Sequence, residues 1–84
     1  MSAKQRILVI DDEQAIRRLL KSSLEAAGYI VQEAVSGEDG LREAASRQPD
    51  LIILDLGLPD LSGLEVLKRV REWSAVPILI LTVQ

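Results

Sequence analysis

The chain contains no cysteine and no histidine. That excludes disulfides, thiolate chemistry, Cys/His zinc sites and imidazole acid–base catalysis. Phenylalanine is also absent, and Tyr29 and Trp73 are the only aromatic residues. A core must therefore be built from Leu, Ile, Val and Ala. No apolar run approaches the roughly 18 residues of a membrane span. The first run is four residues long, too short for a signal-peptide core, so a cytoplasmic chain without membrane contact is expected. Positive charge is not in excess: ten basic residues face 13 acidic ones, for a net charge of −3. Nucleic-acid-binding domains usually show a basic face, so direct nucleic-acid binding is not expected. No linker or low-complexity stretch divides residues 1–84.

What is present is a globular balance, with 48% hydrophobic and 27% charged residues in 84. Three aliphatic runs stand out: Ile7–Ile10, Leu51–Leu54 and Ile78–Leu81. They do not alternate, which suits strands buried on both faces of a parallel sheet. A fourth, more mixed strand is expected at Tyr29–Ala34, at an edge.

Helical patterns fill the gaps. Ile16, Leu19, Leu20 and Leu24 recur at helical spacing between Glu13 and Ala27, and Gly28 supplies a stop. Leu41, Ala44 and Ala45 mark a helix from Gly37 to Arg47, with Ser36 and Asp39 at its start and Pro49 beyond its end. Leu64, Leu67 and Val70 mark a third, from Gly63 to Trp73, opened by a capping box of Ser62 and Glu65. Strands alternating with helices imply a parallel α/β sheet with right-handed crossovers. Ligands in such sheets bind beyond the carboxyl ends of the strands, at the switch point of strand order.

At those ends stand Asp11-Asp12-Glu13, Asp55 and Thr82. Each has an ordinary reading: Asp12 as a helix cap, Asp55 as a turn residue, Thr82 as a β-branched strand residue. Their coincidence at one end of three strands is harder to explain that way. Crowded carboxylates repel unless a cation joins them. Oxygen donors without His or Cys select Mg²⁺, ahead of Ca²⁺ or Mn²⁺.

The segment Asp55-Leu56-Gly57-Leu58-Pro59-Asp60-Leu61-Ser62-Gly63 is more specific. With the acidic pair Asp11 and Asp12, the spacing of Asp55, Pro59 and Gly63, and Thr82 after the last strand, the whole chain resembles the receiver domains of bacterial two-component response regulators. Asp55–Asp60, Glu72–Ile78 and Asp12–Arg18 resemble the OmpR/PhoB subfamily, and most of all its potassium-responsive branch.

The resemblance implies a flavodoxin-like (CheY-like) sheet of order 2-1-3-4. It implies that Asp55 is the phosphoacceptor for a sensor histidine kinase, and that Thr82 donates a switch hydroxyl. Asp11, Asp12, Asp55 and the backbone carbonyl of Gly57 become the Mg²⁺ ligands, Asp11 mostly through water. The domain is then a phosphoacceptor rather than a turnover enzyme, controlling transcription through a DNA-binding domain. Pro59 and Gly63 are expected to shape the loop, Trp73 to pack at a helix end, and Arg17, Arg18 and Lys21 to form a solvated helix face with a lesser chance of docking the kinase.

A complete receiver has five strands and five helices. Relative to that pattern, residues 1–84 read as a partial receiver without the fifth strand, the last two helices and the family's fifth-strand Lys. Val83 stands where the family usually has Ala or Gly. The fourth strand would then expose an apolar edge, open to self-association or strand swapping, and a phosphorylation-incompetent fragment becomes the competing reading. A haloacid-dehalogenase-type phosphohydrolase wants a second Asp at position 57, where Gly stands. A nucleotide-binding half-domain wants a Gly-rich loop where Asp11-Asp12-Glu13 stands.

Overall fold

Each aliphatic run becomes a strand, and each amphipathic stretch a helix. The computed structural model describes residues 4–81. Its elements are β1 (Arg6–Ile10), α1 (Gln14–Ala26), β2 (Ile30–Ala34), α2 (Gly37–Arg47), β3 (Leu51–Asp55), α3 (Gly63–Arg71) and β4 (Ile78–Leu81). All pairings are parallel and the order is β2-β1-β3-β4, as expected. The order reverses at β1, so the crevice between the carboxyl ends of β1 and β3 is the switch point.

The sheet separates two apolar layers, because successive strand side chains point to opposite faces. Leu8, Ile10, Ile52 and Leu54 point to one side, where Ala44 of α2 and Val66 and Val70 of α3 cover them. Ile7, Val9, Val31 and Ile53 point to the other, against Leu20 and Leu24 of α1. Burying a side chain of this size stabilises by about 1.5–3 kcal/mol, so these layers carry the fold without aromatic residues. Leu19 leaves the expected stripe and is exposed. Leu20 and Leu24 are one turn apart and face the sheet, whereas Leu19 sits about 100° round the helix from Leu20. β4 also departs from two-sided burial: it forms an edge among the described residues, and Leu79 and Ile80 are exposed.

The helix ends follow local chemistry. Ser36 and Ser62 cap α2 and α3, each hydroxyl accepting from the N–H three residues on, at 3.1 Å. The expected capping box is only half formed in α3, because the Glu65 carboxylate pairs with Arg69. In α2 the Asp39 carboxylate accepts from Val35 N–H, one residue before the cap. α1 stops at Gly28, whose φ of +100° suits glycine. α2 stops at Gln48 in the left-handed region, with buried Pro49 following. α3 ends at Arg71, earlier than expected. Trp73 lies beyond it, half exposed, on a cavity of about 200 Å³ with Ala44, Gln48, Pro49, Ser74 and Val76.

Gly63 has a packing reason to be glycine. A Cβ there would lie 2.6 Å from the Asp55 carbonyl oxygen and 2.7 Å from the Leu56 Cα. Both are backbone atoms that cannot swing aside, and Gly63 N–H also donates to the Leu56 carbonyl at 3.1 Å. The start of α3 is thus pressed onto the end of β3. Gly63→Ala is expected to lower stability by about 1–3 kcal/mol, the usual range for overpacking, measured by urea unfolding. A parent-like midpoint would show that α3 can move away freely.

Candidate functional site

Parallel register builds the acidic site. Ile10 pairs with Leu54, so the next residues, Asp11 and Asp55, emerge side by side at the switch point. Asp12 follows on the turn into α1. One carboxylate oxygen from each of Asp11, Asp12 and Asp55 falls within 4.8 Å of the others. Asp11 is 2% exposed, Asp55 is half-buried and Asp12 is exposed. Glu13, the third member of the acidic run, becomes the N-cap residue of α1 and stands outside this group.

Asp11 is held on several sides. Its N–H donates to the Ala34 carbonyl at 3.1 Å. Its Oδ1 accepts from Glu13 N–H at 2.9 Å. That bond reaches the N-cap residue rather than a helical N–H, so α1 has no side-chain cap and Asp12 does not serve as one. Burial pushes the Asp11 carboxyl above its ordinary 3.8, and the charges of Asp55 and Asp12 add to that rise. The Glu13 N–H and the Arg17 guanidinium oppose it. Three oxygen donors at this spacing, one deeply buried, fit a hard divalent cation in the way Mg²⁺ is usually held.

Gly57 lies beside the phosphoacceptor candidate. Its N–H donates to Asp55 Oδ1 at 3.2 Å. A Cβ at position 57 would sit 4.0 Å from both Asp55 carboxylate oxygens, so glycine leaves them uncovered on that side. Thr82 lies outside the described residues. Leu81, just before it in sequence, pairs in register with Asp55.

Two residues matter more than their sequence context suggests. Arg17 is not part of a solvated face: its side chain is 13% exposed. It donates to the Asp11 carbonyl at 2.8 Å and to Glu33 at 3.2 Å. The periodicity of α1 places Arg17 on a polar stripe, and only the tertiary position of β2 supplies Glu33. Asp60, in the loop after β3, accepts from Gly37 N–H at 2.8 Å and Glu38 N–H at 2.9 Å. These are orphan donors at the positive end of α2. The bond from Glu38 and then that from Gly37 hold the Asp60 carboxyl below its ordinary 3.8. An acidic residue in a loop can signal a search for a helix N-terminus, but not which helix it finds.

The model of the response regulator receiver domain matches residues 7–84. KdpE, the KDP operon transcriptional regulatory protein of Escherichia coli, is 55% identical over 76 residues, covering 90% of this chain and 34% of the relative. The chain thus spans about a third of that relative's length. Chemotaxis response regulator CheY4 of Vibrio cholerae superposes with a TM-score of 0.93 at 35% identity, over 98% of this chain and 71% of that one. Response regulator TrrA of Thermotoga maritima, solved in complex with Mg²⁺-BeF, gives 0.88 at 44% identity, over 93% of this chain and 69% of that one.

Three crowded carboxylates repel, which is expected to cost stability in the metal-free chain. Asp12→Asn removes one of three neighbouring charges and is expected to stabilise the metal-free chain by about 1 kcal/mol at low salt, with less effect at high salt. Urea unfolding at pH 7 checks this; destabilisation would mean that Asp12 has a structural bond. The two shifted carboxyls act oppositely with pH. Asp11, raised when folded, costs metal-free stability as pH rises above 3.8 toward its folded value. Asp60, lowered when folded, contributes fully above 3.8, and that contribution is lost as pH falls through its folded value. Asp60→Asn is therefore expected to flatten the loss of stability below pH 3.8, read from unfolding midpoints across a pH series. An unchanged acid limb would remove Asp60 from it.

Proposed function

The chain belongs to the response regulator receiver domain family, and from that membership we propose that Asp55 accepts a phosphoryl group from a sensor histidine kinase at an Mg²⁺ site. The observation that carries this reading is the convergence of Asp11, Asp12 and Asp55 within 4.8 Å. Asp12 and Asp55 would hold Mg²⁺ directly, Asp11 mostly through water, with the Gly57 carbonyl as a further ligand. Bound there, Mg²⁺ supplies positive charge opposite the phosphoryl oxygens, the main need in such transfers.

The residues of the chain do the rest. A carboxylate oxygen of Asp55 attacks the phosphorus of phosphohistidine. An O–P bond forms, the P–N bond breaks, and the imidazole leaves with the electron pair and takes a proton from solvent. Gly57 N–H steadies one carboxylate oxygen and leaves the approach open. Thr82 donates its hydroxyl to the new group, whose charge of about −1.5 to −2 drives the switch. Similarity to KdpE supports a place in potassium-responsive transcription control, with DNA bound by a separate domain of the whole protein. The absence among the described residues of a helix able to cross a membrane is compatible with action in the cytoplasm.

A second reading rests on β4. Leu79 is 56% exposed and Ile80 37%, on the strand that forms one edge of the sheet among the described residues. Such an edge is a template for another strand, and a second copy of this chain brings the same apolar pair to meet it. In this reading the chain self-associates through β4 and does not accept phosphate.

Incubation with Mg²⁺ and a small phosphodonor, followed by intact mass measurement, tests the leading reading. One added phosphoryl group is expected, absent in Asp55→Ala and without Mg²⁺. No addition to the parent chain would leave the self-association reading. Light scattering after size exclusion tests that separately: a dimer at micromolar concentration is its expected result, and a clean monomer overturns it.

A further inference from the structure

Arg17 is the most deeply buried of the side chains that form ion pairs among the described residues, at 13% exposure. A guanidinium so withdrawn from water needs specific partners. It has two, on different elements. One Nη donates to the backbone carbonyl of Asp11 at 2.8 Å, and Nε donates to Glu33 Oε1 on β2 at 3.2 Å. The geometry follows from the helix. Arg17 stands one turn into α1, its N–H bonded to the Glu13 carbonyl. Helical side chains lean back toward the N-terminus, so the guanidinium reaches over the first turn to the end of β1.

The carbonyl it holds belongs to the peptide that joins Asp11 to Asp12. Peptide groups are planar, so fixing that oxygen also fixes the N–H of Asp12 and the direction in which Asp12 leaves the strand. The N–H of Asp11 is already bonded to Ala34, and its carboxylate to Glu13. Arg17 completes the set. Glu33 in turn holds the guanidinium in place, and Lys21 Nζ lies 3.8 Å from the same carboxylate.

We propose that Arg17 is a positioning residue for the acidic site, clamping the Asp11–Asp12 peptide so that both carboxylates face the cation, with Glu33 of β2 as its anchor. This rests on the reading of Asp11, Asp12 and Asp55 as the Mg²⁺ site. Charge alone makes the opposite forecast. Arg17 is a cation beside a cation site, so its removal on Coulombic grounds should tighten Mg²⁺ binding. Loss of an outer group that orients ligands typically weakens metal affinity 10–100-fold. The sign of the effect therefore separates the two.

The test is the Mg²⁺ dissociation constant of the full chain, taken from the Mg²⁺-dependent rise in unfolding midpoint. For Arg17→Gln a weakening of about 10-fold is expected. Hydrogen exchange without metal should show faster exchange at Glu13 N–H, the donor to Asp11, while β3 amides keep their protection. Unchanged or tighter Mg²⁺ binding in Arg17→Gln, with the parent chain saturating normally, overturns the proposal and leaves the site reading intact. No saturable Mg²⁺ effect in the parent chain overturns both. If Arg17→Gln does not fold, Arg17→Lys decides. It keeps the charge but lacks the fork that serves two acceptors, so it should also bind Mg²⁺ more weakly; parent-like affinity overturns the clamp.

Discussion

The register between β1 and β3 forces carboxylates together. Once Ile10 pairs with Leu54, Asp11 and Asp55 must emerge as neighbours, and the turn into α1 adds Asp12. Like charges at this distance oppose folding. Burial is the first cause of the rise of the Asp11 carboxyl above its ordinary value; the Glu13 N–H opposes it, and the charges of Asp55 and Asp12 add to it. Two buried apolar layers hold the strands in this register regardless. The sheet thus stabilises an arrangement that its own charges resist, and a hard cation in the crevice would relieve it. Energy stored in this way favours whatever brings positive charge to the crevice.

Around this centre, loops are tied down by bonds that cross between elements. Asp60 ties the loop after β3 to the start of α2. Gly63 lets α3 begin directly against the backbone of Asp55 and Leu56. Arg17 ties the loop after β1 to β2 through Glu33. Each tie acts on a segment that adjoins a carboxylate of the site. A site built on loops gains precision this way, because its first ring of groups is braced by a second.

Much of this was legible in the sequence. The unbroken aliphatic runs, the helical stripes and the serine caps produced the element order, and the resemblance to receiver domains supplied the strand order 2-1-3-4. The acidic residues after the first and third runs produced the site, since strand ends in a parallel sheet converge. Other features depend on tertiary partners that local patterns do not encode. Arg17 looked like one cation on a solvated stripe because Glu33 lies 16 residues away on another element. Asp60 has no role legible in the sequence because its partners, Gly37 and Glu38, precede it by more than 20 residues. Leu19 looked like core because a one-residue step along a helix is hard to phase from sequence alone. The run Ile78–Leu81 matches the composition of a central strand, but composition alone does not say which neighbours it has. Among the described residues β3 is its one partner.

Amide chemical shifts during a titration of the ¹⁵N-labelled chain with Mg²⁺ test the central claim most directly. The account predicts saturable shifts with one-site behaviour, largest at Asp11, Asp12 and the segment from Asp55 to Gly57, with β2 and the Trp73 end of the molecule moving little. Shifts that rise without saturation, or that centre on other acidic residues such as Glu38 and Asp39, would contradict it.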